Sequence, residues 1–227
     1  MTSFNTTDMT RSRRLWWQFC CWWLSVWFKL CYRHQALGVH HIPSQGPVLL
    51  VANHQSFFDP IIIGIGTIRR PYFSLARASL FRFPVFGWLL RSFHVIPVER
   101  GAADMTAMRR CLDVLQQQRL LLLFPEGTRS DTGMTLPFAP GMLLLIKRAK
   151  PTVIPVAVEG GFHVWPKTRK YPRLFGKLAV SFGQPIAANV LLEMSNEQAL
   201  EHLQNTVEQL RLSLTFQLSS APSTPKT

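Results

Sequence analysis

From Gly46-Pro47 onward the sequence alternates short apolar runs with stretches of helical periodicity, and this alternation limits the fold more than any other feature. Runs at 48–52, 72–76, 93–98, 120–124, 152–158 and 177–182 read as strands; 57–68, 84–91, 104–118 and 140–150 read as the helices between them. The strand runs are continuously apolar, as expected for a sheet covered on both faces. The expected class is α/β with a largely buried sheet, over a domain at 45–217. A last helix at 196–217 carries Leu200, Leu203, Val207, Leu210 and Leu214 at helical spacing, and the Ser- and Pro-rich residues 218–227 read as a disordered tail. With 47% hydrophobic and 16% charged residues, the 227-residue chain can build one substantial core, which excludes wholesale disorder.

Residues 1–44 differ in composition and read as a basic, tryptophan-rich membrane-docking segment. Five of the seven tryptophans fall within 15–32, directly behind Arg11, Arg13 and Arg14. Eighteen helical residues reach about 27 Å, just short of a bilayer core, so length alone leaves spanning open. On a helical wheel Gln18, Ser25 and Lys29 make a narrow polar stripe against an apolar arc with Trp16, Cys20, Trp23, Trp27 and Leu30. That pattern suits an amphipathic helix lying in the interface, where indoles prefer the headgroup zone and arginines attract anionic lipid. A core helix is the competing reading, though five indoles are awkward to bury completely. No small-residue cleavage site follows, so the segment is expected to be retained.

Three strand runs end on ionisable clusters, and in open α/β sheets ligands bind at the carboxyl ends of strands. VLLVA leads into Asn53-His54-Gln55-Ser56-Phe57-Phe58-Asp59, HVIPV into Glu99-Arg100-Gly101, and LLLLF into Pro125-Glu126-Gly127-Thr128-Arg129-Ser130. His54 is the one side chain there with an unperturbed pKa near neutrality, which makes it the natural general base. On a continuous helix Asp59 would point about 140° away from it, so the two meet only if a turn intervenes at Ser56. Asp59 fits helix capping as well as it fits catalysis, through a Ser56-x-x-Asp59 capping box or an N-cap before Pro60. Arg100 and Arg129 read equally as phosphate forks or as surface ion pairs.

Charge narrows the partners. The chain has 25 Lys and Arg against 12 Asp and Glu, a net +13, which favours an anionic partner such as a phosphate-bearing substrate or an anionic membrane surface. A nucleic-acid binder would need neither a His-Asp pair nor a tryptophan helix, so no nucleic-acid partner is expected. Lys147-Arg148-x-Lys150 and Lys167-x-Arg169-Lys170 are candidate membrane or carrier contacts, or a solvated basic face.

Taken together, Asn53-His54-x-x-x-x-Asp59, Val95-Ile96-Pro97-Val98-Glu99-Arg100, Phe124-Pro125-Glu126-Gly127-Thr128-Arg129-Ser130 and Val153-Ile154-Pro155-Val156 resemble the four ordered blocks of the 1-acylglycerol-3-phosphate (lysophosphatidate) acyltransferases, within the glycerolipid acyltransferase superfamily. The resemblance covers roughly residues 45–185, with the first and third blocks specific and the others weak. Glu99 departs from it, since many relatives carry Asp before the arginine. The resemblance implies a mixed sheet wrapped by helices, with an N-terminal helical docking motif. It implies His54 as catalytic base, Asp59 as its orienting carboxylate, and Arg100, Glu126, Gly127, Thr128 and Arg129 as the binding site for glycerol phosphate.

The implied reaction moves a fatty acyl group from acyl-CoA or acyl carrier protein to the free hydroxyl of a lysophospholipid, foremost 1-acylglycerol-3-phosphate. A thiol with a pKa near about 8.5 leaves without a dedicated acid, so no metal or resident cofactor is expected and the carrier thioester is a co-substrate. The expected partners are the phospholipid bilayer, a lysophospholipid and the carrier; the expected place is the cytoplasmic face of a membrane, peripheral or monotopic. Competing readings are another lysolipid acceptor, such as a lyso-ornithine lipid, and a non-catalytic basic protein of the membrane surface.

Overall fold

The computed structural model describes residues 11–99 and 105–220. Seven strands form one sheet in the order β1-β7-β6-β2-β5-β3-β4. The central strands are β2 (Val48–Ala52), β5 (Leu120–Leu123) and β6 (Thr152–Glu159), with β3 (Tyr72–Arg77) and β4 (Val95–Val98) on one side. These five run parallel. At the other edge β7 (Ala179–Phe182) pairs antiparallel with β6, and β1 (Gln35–Leu37) pairs parallel with β7. The sheet is therefore mixed, as the resemblance implied.

Alternate residues of the apolar strands feed two separate cores, which is why the runs show no polar alternation. Val48, Leu50 and Ala52 of β2 pack with Ile154 and Val156 of β6 beneath α1 (Arg11–Tyr32) and α2 (Asp59–Gly66). Leu49, Val51 and Val153 face the opposite layer: α4 (Met105–Gln116), α5 (Gly141–Ala149), α7 (Ala188–Leu192) and α8 (Asn196–Ser220). The short α3 (Pro84–Ser92) leads into β4, and α6 (Gly161–Val164) follows β6.

Among the differences from the sequence reading, three stand out. β1 was not anticipated: three residues at a sheet edge carry too short a pattern to stand out. The last helix continues to Ser220 because Leu218 is buried against Leu214, so the expected disordered tail does not begin at 218; residues 221–227 lie outside those described. The third difference is at α1, whose two faces divide the two competing readings. Trp17, Cys21, Phe28 and Tyr32 are buried in the first core, as a core helix requires. The opposite face leaves Leu15, Phe19, Trp22, Trp23, Val26 and Leu30 exposed, Leu30 to 75%. Gln18 and Ser25 lie half-buried at the border between these faces, so the polar stripe is not the side opposite the exposed arc. All four cysteines are free thiols.

Candidate active site

The site begins where β2 ends. Asn53 is fully buried, and its side-chain amide donates to the Val158 carbonyl at 3.0 Å and accepts the Val158 N–H at 2.8 Å. These bonds continue the β2–β6 pairing by one side chain and fix where the next residue emerges. That residue is His54, 19% exposed, with its ring stacked on Phe124 at 4.1 Å.

The backbone turns at Ser56, so Asp59 at the start of α2 faces back towards His54. Asp59 Oδ2 lies 2.8 Å from His54 Nδ1 and accepts the backbone N–H groups of Gln55 at 2.6 Å and Ser56 at 2.7 Å. One buried oxygen thus meets the imidazole and also ties down the backbone of the turn. The Ser56 hydroxyl accepts the Phe58 N–H at 3.2 Å and donates to the Trp165 carbonyl at 2.9 Å, so it caps the turn without reaching the Asp59 N–H that a capping box would use. Oδ1 of Asp59 has no hydrogen-bond partner among the described residues. Gly161 abuts it, and a Cβ at Gly161 would lie 2.8 Å from that oxygen.

The loop after β5 grips the His54 peptide from both ends. Glu126 Oε1 accepts the His54 N–H at 3.2 Å, and the Ser130 N–H donates to the His54 carbonyl at 2.7 Å. Burial pushes the Glu126 carboxyl up to about 8, against the pull of backbone donors at His54 and Leu136 and with the help of the nearby Asp59 and Glu208 carboxylates. Near neutrality this carboxyl is protonated, and Oε2 has no partner among the described residues. Gly127 takes φ +67° with open space around it, so the position asks for a left-handed backbone rather than for room. Thr128 is exposed beside it. The Arg129 guanidinium lies 3.5 Å over the Phe57 ring, and burial, followed by repulsion from Arg77, lowers its pKa.

The structure therefore brings His54, Asp59, Glu126 and Arg129 into one neighbourhood, with Gly127 and Thr128 in the same turn. Arg100 lies outside the described residues. Several supports were not visible in the sequence. Gln55 is fully buried and donates to Glu159 Oε2 at 3.3 Å and to the Gly133 carbonyl at 2.6 Å. Glu159 in turn accepts from Arg211 of α8 at 2.8 Å, and Arg211 grips Glu208 at 2.6 and 2.8 Å. A buried polar chain thus runs from α8 to the residue beside His54. The contrast with His94 is instructive. His94 packs on Phe73 with neither ring nitrogen partnered among the described residues, and burial lowers it to about 4, the state of a neutral core histidine.

An imidazole held by a buried carboxylate at the carboxyl ends of parallel strands, with an arginine nearby, is an arrangement that can take up a proton beside a group able to pair with an anion. The chain belongs to the Acyltransferase family, whose model matches residues 34–159. It is 27% identical over 167 residues to a chloroplastic 1-acyl-sn-glycerol-3-phosphate acyltransferase of Brassica napus, a match covering 72% of this chain and 48% of that protein. The enzyme of the same name from Streptococcus pneumoniae is 28% identical over 169 residues, covering 74% of this chain and 60% of the relative. The one from Bacillus subtilis is 21% identical over 192 residues, covering 85% and 93%. The chain thus spans about half the length of the plant relative and 60% of the streptococcal one. The crystal structure of a 1-acyl-sn-glycerophosphate acyltransferase from Thermotoga maritima superposes with a TM-score of 0.70 at 23% identity, covering 90% of this chain and 79% of that one. The α/β fold read from the sequence is the fold of that structure.

Proposed function

We propose that the protein transfers a fatty acyl group from a thioester carrier to the free 2-hydroxyl of 1-acylglycerol-3-phosphate, giving phosphatidic acid. The observation that carries this reading is the 2.8 Å contact between His54 Nδ1 and the buried carboxylate of Asp59. With Nδ1 occupied, Nε2 is the ring nitrogen left to take the proton of the acceptor hydroxyl. As that proton leaves, the oxygen attacks the thioester carbon, the C–S bond breaks, and the thiolate departs. The imidazolium formed is stabilised by Asp59 and returns its proton to the thiolate. The reaction asks for no resident cofactor.

The acceptor's phosphate is assigned to Arg129 and, through the resemblance, to Arg100. The protonated Glu126 has a free oxygen with which to donate to a glycerol oxygen, while Gly127 and Thr128 shape the turn. Docking is assigned to the exposed face of α1, extended by α3: Trp16 meets Trp88 at 6.2 Å and donates to the Ser92 hydroxyl at 3.4 Å. Val85 and Trp88 of α3 are 82% and 60% exposed on their own helix. No helix among the described residues is long and apolar enough to cross a membrane, which agrees with docking from one side.

Release of free thiol from acyl-CoA or acyl carrier protein, followed over a panel of lysolipid acceptors, tests the proposal. Lysophosphatidate is the expected acceptor, and His54→Ala should remove at least about a hundredfold of the rate while the protein stays folded. A variant with more than a tenth of the wild-type rate would refute His54 as the base. A preference for lyso-ornithine lipid would move the assignment to another acceptor, and no thiol release with any acceptor would leave a membrane-surface protein.

A further inference from the structure

The chain carries a second basic cluster, in the segment that follows β6. In the sheet order, β2 is flanked by β5 and β3 on one side and by β6 on the other. Arg129, and Arg77 at the end of β3, lie on the β5 side. The segment that follows β6 instead surrounds a cavity of about 550 Å³ lined by Phe162, His163, Thr168, Arg169, Lys170 and Arg173. Three permanent cations and an imidazole line this one concavity, and their side chains are exposed to it and to solvent.

The backbone around this cavity is tied to Gln55 and Ser56, the two residues that follow His54. The Phe162 N–H donates to the Gln55 side-chain oxygen at 3.4 Å, and the Ser56 hydroxyl donates to the Trp165 carbonyl at 2.9 Å. Trp165 packs on Phe57 and Phe58, and its indole N–H holds the Arg169 carbonyl at 3.1 Å. The Arg173 N–H bonds to the Val164 carbonyl at 2.9 Å, while the Tyr32 hydroxyl donates to the Arg173 carbonyl. Lys167 is engaged by Asp131 at 2.5 Å, which leaves Arg169, Lys170 and Arg173 as the cations of the cavity.

We infer that this cavity binds the phosphorylated nucleotide of coenzyme A, so that donor and acceptor approach His54 from opposite sides of β2. The inference rests on the acyltransferase reading. Such a reaction brings two anions to one base, and the acceptor's single phosphate already has its arginine on the β5 side. A cluster of three cations matches the pyrophosphate and the further phosphate of coenzyme A, and guanidinium groups fork onto phosphate oxygens. The volume falls in the range of small-molecule sites, about 300–1,000 Å³, so the proposal commits to coenzyme A, with a carrier protein as the outcome that the choice of donor tests.

The test compares the wild-type protein with the double variant Arg169→Ser/Lys170→Ser and with Arg173→Ser. Each is assayed with acyl-CoA and with acyl-pantetheine, the same thioester without the nucleotide. Loss of charge-assisted bonds should raise KM for acyl-CoA at least about tenfold, leaving KM for lysophosphatidate and all kinetics with acyl-pantetheine unchanged. Calorimetric titration with free coenzyme A should show the same loss of affinity. Equal losses with both donors, unchanged KM for acyl-CoA, or a wild-type protein that accepts only acyl carrier protein would overturn the assignment. So would a defect confined to vesicle-bound acceptor, which would assign the cations to lipid headgroups. If no donor is turned over, the acyltransferase reading fails by itself and the titration decides: coenzyme A bound by the wild type and lost in the variants upholds the cavity, and no binding overturns it.

Discussion

Gly161→Ala puts one methyl group against the dyad without touching either member's chemistry. The glycine's backbone lies outside the left-handed region, so alanine is tolerated there as far as backbone conformation goes. The new Cβ would stand 2.8 Å from Asp59 Oδ1 and 2.8 Å from Ser56 Cβ, about 0.6 Å inside ordinary contact at both points. Asp59 Oδ2 is held by three partners at 2.6 to 2.8 Å, so the carboxylate cannot yield without lengthening at least one of them. A displacement of 1 Å at a catalytic group is worth about a hundredfold, so this one should lower kcat by roughly ten- to a hundredfold. Overpacking should also remove about 1–3 kcal/mol of stability. The assay is thiol release at saturating donor and acceptor, beside thermal unfolding of the same samples. Gly46→Ala is the control, since Gly46 has φ +82° and nothing within 4 Å of its Cβ position. It should lose about 1–2 kcal/mol through strain alone and keep its turnover. Wild-type kcat in Gly161→Ala would refute the argument that tight packing of Asp59 sets the rate.

Three further outcomes are expected. Glu126 keeps its proton to about pH 8 in the folded protein but loses it near about 4.3 when unfolded, so between those values the unfolded state holds fewer protons and stability falls as pH rises. Glu126→Gln should flatten that decline in denaturant midpoints measured at pH 5, 7 and 9, and parallel slopes for both proteins would contradict it. Arg211→Leu leaves Glu159 and Glu208 without their shared cation and should cost about 3–5 kcal/mol; a melting temperature within a degree of wild type would dismiss the buried chain as a support. Arg129→Lys keeps the charge and loses the planar fork, so KM for lysophosphatidate should rise with KM for the donor unchanged, and equal kinetics would remove the phosphate role.

The parts of the site legible in the sequence are those written in one short segment or at strand ends. His54 and Asp59 stand five residues apart, and the turn at Ser56 that joins them was deducible from helical geometry. Glu126 and Arg129 were found because they follow an apolar run. Gln55, by contrast, carries no chemical signal of its own; its importance comes from Glu159, 104 residues away, and Glu159's from Arg211, 52 further on. Such polar chains follow tertiary packing and leave no periodicity. Trp165 and Gly161 were invisible for the same reason, since each matters only through what lies across from it. On α1 the wheel set the polar stripe opposite the apolar arc, and it could not tell apolar residues that meet the core from those left exposed.

That second distinction has a consequence of its own. Phe28 and Tyr32 are 0% and 1% exposed within the catalytic core, while Trp23 and Leu30 of the same helix are 62% and 75% exposed. The helix proposed to dock cannot be removed like a tether, because deleting it would open the core, so only substitutions on its outward face separate docking from folding. Substitution at Phe28 or Tyr32 would disturb the core, whereas substitution at Phe19, Trp23 or Leu30 would leave the architecture intact and, on the docking proposal, change only the affinity for a lipid surface. One side of a single helix could then be rewritten for a different membrane without altering the other.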